Sequence, residues 1–180
     1  MNIDSKLNVN LYIVGFMGTG KSTIGQELAN LMKMDFFDSD HEITKSAKKP
    51  IKDIFADEGE SVFRKMESQF INSGHPDTGC VIACGGGLVM GKGMIDTLKS
   101  KGILICLFAS VRTILKRTSN NTKRPLLNLE SRKEKIIELL AKRESTYLQA
   151  GTRICTDNRS TSEIIQHAIS VYQKQAAKFH

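Results

Sequence analysis

The stretch Gly15-Phe16-Met17-Gly18-Thr19-Gly20-Lys21-Ser22 constrains this chain more than any other. It matches the pattern G-x-x-x-x-G-K-[ST] in full. A short apolar run, Asn10 to Val14, precedes it, and an amphipathic one, Ser22 to Met32, follows. Glycines let the backbone curl until successive N–H groups point inward and cradle an anion. A helix beginning near Lys21 adds the positive end of its dipole. Lys21 then reaches the β- and γ-phosphates of a nucleoside triphosphate, and the Ser22 hydroxyl is a ligand for Mg²⁺. Gly18, Thr19, Gly20 and Thr23 complete the expected phosphate cradle. The bland alternative is a glycine-rich turn with no ligand. Kinases, GTPases, motors and switches share such a loop. The Asn-Lys-x-Asp motif of guanine recognition is absent.

Further along, short apolar runs alternate with longer helical patterns. Strands are expected at Asn10 to Val14, Asp35 to Asp38, Cys80 to Cys84, Ile103 to Phe108 and Arg153 to Thr156. Helical patterns cover Ser22 to Met32, most of Ser39 to Ser73, Ser110 to Thr118, Arg132 to Leu148 and Thr161 to Phe179. In the first of these, Ile24, Leu28, Leu31 and Met32 form one apolar face. The crossovers are too long for hairpins, which predicts parallel strands with helices on both faces. Ligands of such sheets bind at the carboxyl ends of the strands. No repeat or linker interrupts residues 1–180, so a single domain is expected.

Composition removes several other classes. Lys and Arg number 26 against 19 Asp and Glu, a net charge of +7. A basic surface suits nucleic acid, but it equally attracts small anions. The densest basic run, Lys45, Lys48, Lys49 and Lys52, is broken by Pro50 and Asp53, which argues against nucleic acid. Cys80, Cys84, Cys106 and Cys155 form no Cys-x-x-Cys pair and read as free thiols in a reducing compartment. Met1 to Asn10 has no secretory core, and no apolar run approaches a membrane span. A cytoplasmic protein without a membrane partner is expected, and one compact domain is compatible with a monomer.

Several further groups carry chemistry. Asp38 and Asp40 leave the end of the second expected strand two residues apart, and strand alternation would point both to one side. One can organise Mg²⁺ through its waters while the other accepts a hydroxyl proton. Arg64 and Glu67 are three apart on a helix, hence neighbours, and their bland reading is a surface ion pair. Arg143 precedes Tyr147 by one helical turn. Gly85, Gly86 and Gly87 remove every side chain at the exit of the third strand, so a ligand can lie against bare backbone. Ser119 to Leu129 is polar, lacks an apolar period, carries Arg124 and reads as a lid.

In this order and spacing, Phe37-Asp38-Ser39-Asp40, Phe63-Arg64-Lys65-Met66-Glu67, Cys84-Gly85-Gly86-Gly87, Arg117, Arg124-Pro125-Leu126-Leu127, Arg143 and Tyr147 resemble the shikimate kinases. The resemblance runs from about Val9 to about Ile169. It implies a nucleoside-monophosphate-kinase-like fold with five parallel strands in the order 2-3-1-4-5. It implies transfer of the ATP γ-phosphoryl group to the 3-hydroxyl of shikimate, with Mg²⁺, in aromatic amino-acid biosynthesis. Within it, Asp38 takes the metal side and Asp40 holds the acceptor hydroxyl as candidate base. Arg64, fixed by Glu67, and Arg143 hold the carboxylate, in a substrate-binding region over about 39–75. Gly85 to Gly87 seat the ring. Lys21 and Arg124 meet the transferring phosphoryl group, Arg117 lies near the adenine, and Asp157 to Ser162 form an adenine-side loop. The chain departs from the family's habit at Ser145-Thr146, where Pro-Leu is common, and at Cys84, where Thr or another small residue is common. Three alternatives stay open: a gluconate-type kinase, a non-catalytic nucleotide-binding regulator, and a nucleic-acid-dependent ATPase.

Overall fold

In a computed structural model, which describes residues 8–119 and 132–179, five strands form one parallel sheet in the order β2-β3-β1-β4-β5. They are β1 (Asn10–Gly15), β2 (Asp35–Asp38), β3 (Cys80–Ala83), β4 (Gly102–Phe108) and β5 (Thr152–Cys155). The helices are α1 (Lys21–Met32), α2 (Ser39–Ala47), α3 (Ile51–Asp57), α4 (Glu60–Ser73), α5 (Met94–Lys101), α6 (Val111–Thr118), α7 (Arg132–Gln149) and α8 (Thr161–Ala176). The expected strand order and both helical layers are therefore present.

The central strands are apolar on both faces because helices cover both. Alternation along β1 sends Leu11 and Ile13 to one side and Tyr12 and Val14 to the other. The first side, with Ile103, Ile105 and Leu107 of β4, packs against Leu28 of α1 and Ile164, Ala168 and Tyr172 of α8. The second, with Ile82, Leu104 and Cys106, packs against Ile54, Phe70, Leu98 and Ile136 of α3, α4, α5 and α7. Cys80, Cys84 and Cys106 are buried free thiols and Cys155 is a half-buried one.

One expectation is borne out, one helix is added and one helix face is corrected. The helical patterns expected over most of Ser39 to Ser73 are present as three helices, α2, α3 and α4, separated at Pro50 and Gly59. Helix α5 was not expected at all: it is eight residues long and buries only Met94 and Leu98, too few to declare a period. Leu31 lies off the buried face of α1, at 54% exposure. The expected lid falls, apart from Ser119, outside the described residues, and so does Arg124. No helix among the described residues is long and apolar enough to cross a membrane.

Candidate active site

The segments singled out in the sequence gather at the carboxyl ends of the strands. The loop after β1 turns at Gly15, whose φ is 141° and where a Cβ would lie 2.1 Å from the Leu107 carbonyl oxygen. Only glycine passes this point. The loop then folds on the Phe16 carbonyl, which accepts from the Thr19 hydroxyl at 2.8 Å and from Lys21 Nζ at 3.0 Å. Gly20, in the left-handed region, opens α1 without a side-chain cap, and the first turn holds no acidic residue. Its leading N–H groups and dipole therefore favour an anion. Lys21 is buried, whereas Ser22 and Thr23 are exposed in that first turn.

Ser22 Oγ donates to Asp38 Oδ2 at 2.5 Å. Asp38 Oδ1 meanwhile accepts from the backbone N–H groups of Asp40, at 3.1 Å, and His41, at 3.3 Å. Asp38 thus caps α2 and holds the phosphate-loop serine at once. The expectation that Asp38 and Asp40 share a strand face is corrected here. The strand ends at Asp38, and Asp40 already belongs to α2. The helical turn, not strand alternation, divides the two carboxylates between two sites. Between them Ser39 is wholly buried, and its hydroxyl accepts from the Gly85 N–H at 2.8 Å.

The glycine run gathers the remaining residues. A Cβ on Gly85 would meet Asp40 Oδ1 at 2.3 Å and Glu67 Oε1 at 3.0 Å. One on Gly87 would meet the Arg64 guanidinium nitrogens at 2.5 and 2.6 Å. One on Gly86 would face the phosphate loop, 3.6 Å from the Gly15 carbonyl oxygen and the Met17 nitrogen. Arg143 Nη1 donates to the Gly86 carbonyl at 3.4 Å, and its guanidinium lies 6.0 Å from the Phe16 ring centroid. So Asp40, Arg64, Glu67, Gly85, Gly86, Gly87 and Arg143 do converge, and they converge beside the phosphate loop.

Arg64 and Glu67 are not a surface pair. Nη1 of Arg64 donates to Glu67 Oε2 at 2.5 Å, and the Glu67 side chain is 2% exposed. Nη2 donates to Glu60 at 2.7 Å. Burial pushes the Glu67 carboxyl up to about 7; Arg64 opposes the shift and the Asp40 charge adds to it. Cys84, fully buried at the strand end, packs as a thiol that burial pushes well above its usual range.

On the other flank, Arg117 donates to the Thr156 hydroxyl and carbonyl, both at 2.9 Å, and to the Gly18 carbonyl at 3.3 Å. It ties α6 to the phosphate loop and to the turn after β5. Asp157 accepts from the Ser110 N–H at 2.8 Å and closes that turn against α6. Sequence reasoning passed over Ser39, Glu60 and Thr156. Only Ser39 had a usable signal: a small polar residue locked between two acidic ones at a strand exit.

A family model described as shikimate kinase matches residues 17–173. The chain belongs to the shikimate kinase family. It is 38% identical over 165 residues to a shikimate kinase of Thermodesulfovibrio yellowstonii, covering 92% of this chain and 95% of the relative. It is 40% identical over 160 residues to one of Persephonella marina, covering 89% and 96%. A solved shikimate kinase from Acinetobacter baumannii, in complex with shikimate, superposes with a TM-score of 0.83 at 34% identity, over 95% of this chain and 94% of that one. A gluconokinase from Sinorhizobium meliloti, at TM-score 0.59 and 15% identity, shares the fold. The family is one of ATP-dependent kinases, so the protein is a phosphotransferase.

Proposed function

We propose that the protein transfers the γ-phosphoryl group of ATP to the 3-hydroxyl of shikimate, as a cytoplasmic, monomeric, single-domain enzyme with no nucleic-acid partner. One observation carries this reading: two arginines and a bare glycine run meet directly behind the phosphate loop. An anionic ring seated there would present its hydroxyl towards the phosphate. The shikimate-bound relative supports the choice of acid.

Arg64 and Arg143 hold the carboxylate, for which a planar guanidinium fork is suited. Glu67 and Glu60 fix the Arg64 fork. Asp40 orients the acceptor hydroxyl and takes its proton as the oxygen forms its bond to the γ-phosphorus and the bond from that phosphorus to the β-phosphate oxygen breaks, leaving ADP. Lys21, the N–H groups opening α1 and Arg124 offset the charge on the transferring group. Most of the acceleration is then positioning and electrostatics. Arg117 and the turn at Thr156 and Asp157 flank the base of the nucleotide.

Ser22 and Asp38 fit Mg²⁺. They offer two adjacent oxygens, and no group of three or more His, Cys, Asp or Glu among the described residues forms a protein cage. Mg²⁺ takes few protein oxygens and completes its shell with phosphate and water. When bound it would supply positive charge to the ATP phosphates.

The test is ADP release from the purified protein with Mg²⁺-ATP, alone and with shikimate, gluconate or quinate. Stimulation by shikimate alone is expected. Stimulation by gluconate instead, or none by any acid, overturns the acceptor.

A further inference from the structure

The seat proposed for the acceptor is built from three residues that have no side chains to hold it in place. Glycine backbone is also the most costly to order. Its hydrogen bonds therefore need accounting. The strand ladder reaches Cys84, whose N–H donates to the Ile13 carbonyl at 2.9 Å. A tight turn over Gly85–Leu88 is closed by the Leu88 N–H, which donates back to the Gly85 carbonyl at 3.1 Å. Between these points two side chains supply the anchors. From the β2–α2 junction, Ser39 Oγ accepts the Gly85 N–H at 2.8 Å. From α7, Tyr147 Oη donates to the Gly86 carbonyl at 2.5 Å, more closely than Arg143 does. Ser39 is 0% exposed and Tyr147 is 8% exposed. Neither hydroxyl is spent on the phosphate loop.

We infer that Ser39 and Tyr147 are positioning residues, which clamp the Gly85–Gly87 backbone from opposite sides and set the acceptor seat against the phosphate loop. Ser39 fixes the end of the run that faces Asp40 and Glu67. Tyr147 fixes the carbonyl of Gly86, the residue abutting Gly15 and Met17. With Gly86 held by its carbonyl, its position relative to Arg143 and to the nucleotide is set. Losing either clamp loosens the acceptor seat while the phosphate cradle, which closes on Phe16, is intact. This rests on the reading of the site as the shikimate seat.

Steady-state kinetics of Tyr147→Phe, Ser39→Ala and Ser39→Thr separate the outcomes. A buried hydrogen bond lost from the seat should raise the KM for shikimate about fivefold to tenfold in Tyr147→Phe and Ser39→Ala. The KM for ATP should stay within about twofold, and Ser39→Thr, which keeps the acceptor oxygen, should restore the shikimate KM. An unchanged shikimate KM in both hydroxyl-less variants overturns the inference. So does a parallel loss in both KM values and kcat that tracks a fall in Tm, the mark of a merely structural role. Where one variant fails to fold, the other decides. Wild-type protein that ignores shikimate overturns the functional reading itself, and shows it before any variant is made.

Discussion

The two ends of the site are built in opposite ways. The phosphate end is one unbroken stretch, Gly15 to Thr23, whose loop folds on the carbonyl of one of its own residues, Phe16. The end proposed for the acceptor has no such continuity. Asp40 comes from α2, Arg64 and Glu67 from α4, the glycines from the exit of β3, and Arg143 and Tyr147 from α7. Its geometry exists only after the sheet and its helices are in place. Local order makes the first end legible and tolerant. Long-range order makes the second specific and dependent on each supporting contact.

The hardest test of this contrast is Asp40→Asn. If Asp40 belongs to the acceptor end alone, kcat should fall about 10²- to 10⁴-fold, the usual weight of a positioned proton acceptor. Binding of ATP, measured by calorimetry, should be unchanged, because the α2 cap is the Asp38 carboxylate accepting from backbone N–H groups. A comparable loss of ATP affinity would break the division between the ends.

Glu67 sharpens it further. Its carboxyl is raised from an ordinary value of 4.5 to about 7, first by burial. The folded state therefore binds more protons than the unfolded one between those values, and ionising Glu67 costs stability. Stability should fall as pH rises from about 4.5 to about 7 and stay low above, by up to about 3 kcal/mol. Glu67→Gln should flatten that slope in denaturant titrations at several pH values while raising the KM for shikimate. A slope unchanged by the substitution would show that the acceptor end stores no such charge.

Arg64→Lys comes next in size. The guanidinium reaches Glu60 and Glu67 at once, which an ammonium cannot reproduce. Loss of a charge-assisted contact predicts a rise of about 10- to 100-fold in the shikimate KM, with the ATP KM within about twofold. Equal rises in both would again merge the two ends.

Legibility in the sequence follows the same divide. The phosphate loop declared itself because its function requires fixed residue types at fixed spacing. The parallel sheet was legible because buried strands read as apolar runs and long helical crossovers separate them. The residues proposed for the acceptor end stand out only as a set, through the family pattern. Their individual spacing argued for something else: Arg64 and Glu67 at i and i+3 read as a solvated pair, yet Glu67 is among the most buried side chains. Asp38 and Asp40 read as strand neighbours, yet a helix starts between them. Ser39 and Tyr147 stand within the family pattern but carry no charge, and their partners are backbone atoms 46 and 61 residues away.

The smallest effect belongs to Leu31. By hydrophobicity alone it falls on the apolar stripe of α1 with Ile24, Leu28 and Met32. Residues turn by about 100° each along a helix, so the buried arc could extend from that stripe in either direction. It extends towards Gly25 and Ala29, both buried, and away from Leu31. The reason is distance. A Cβ on Gly25 would lie 2.8 Å from the Phe36 ring, so the helix approaches the sheet closely at this small residue. Leu31→Gln should therefore change stability by no more than about 0.5 kcal/mol, as surface substitutions do. Gly25→Ala, which adds a single methyl group, should cost more, because the close approach leaves it no room. Urea titrations of the two variants compare them directly. A Leu31→Gln variant less stable than Gly25→Ala would mean that apolar area, not close approach, sets how α1 seats the phosphate loop.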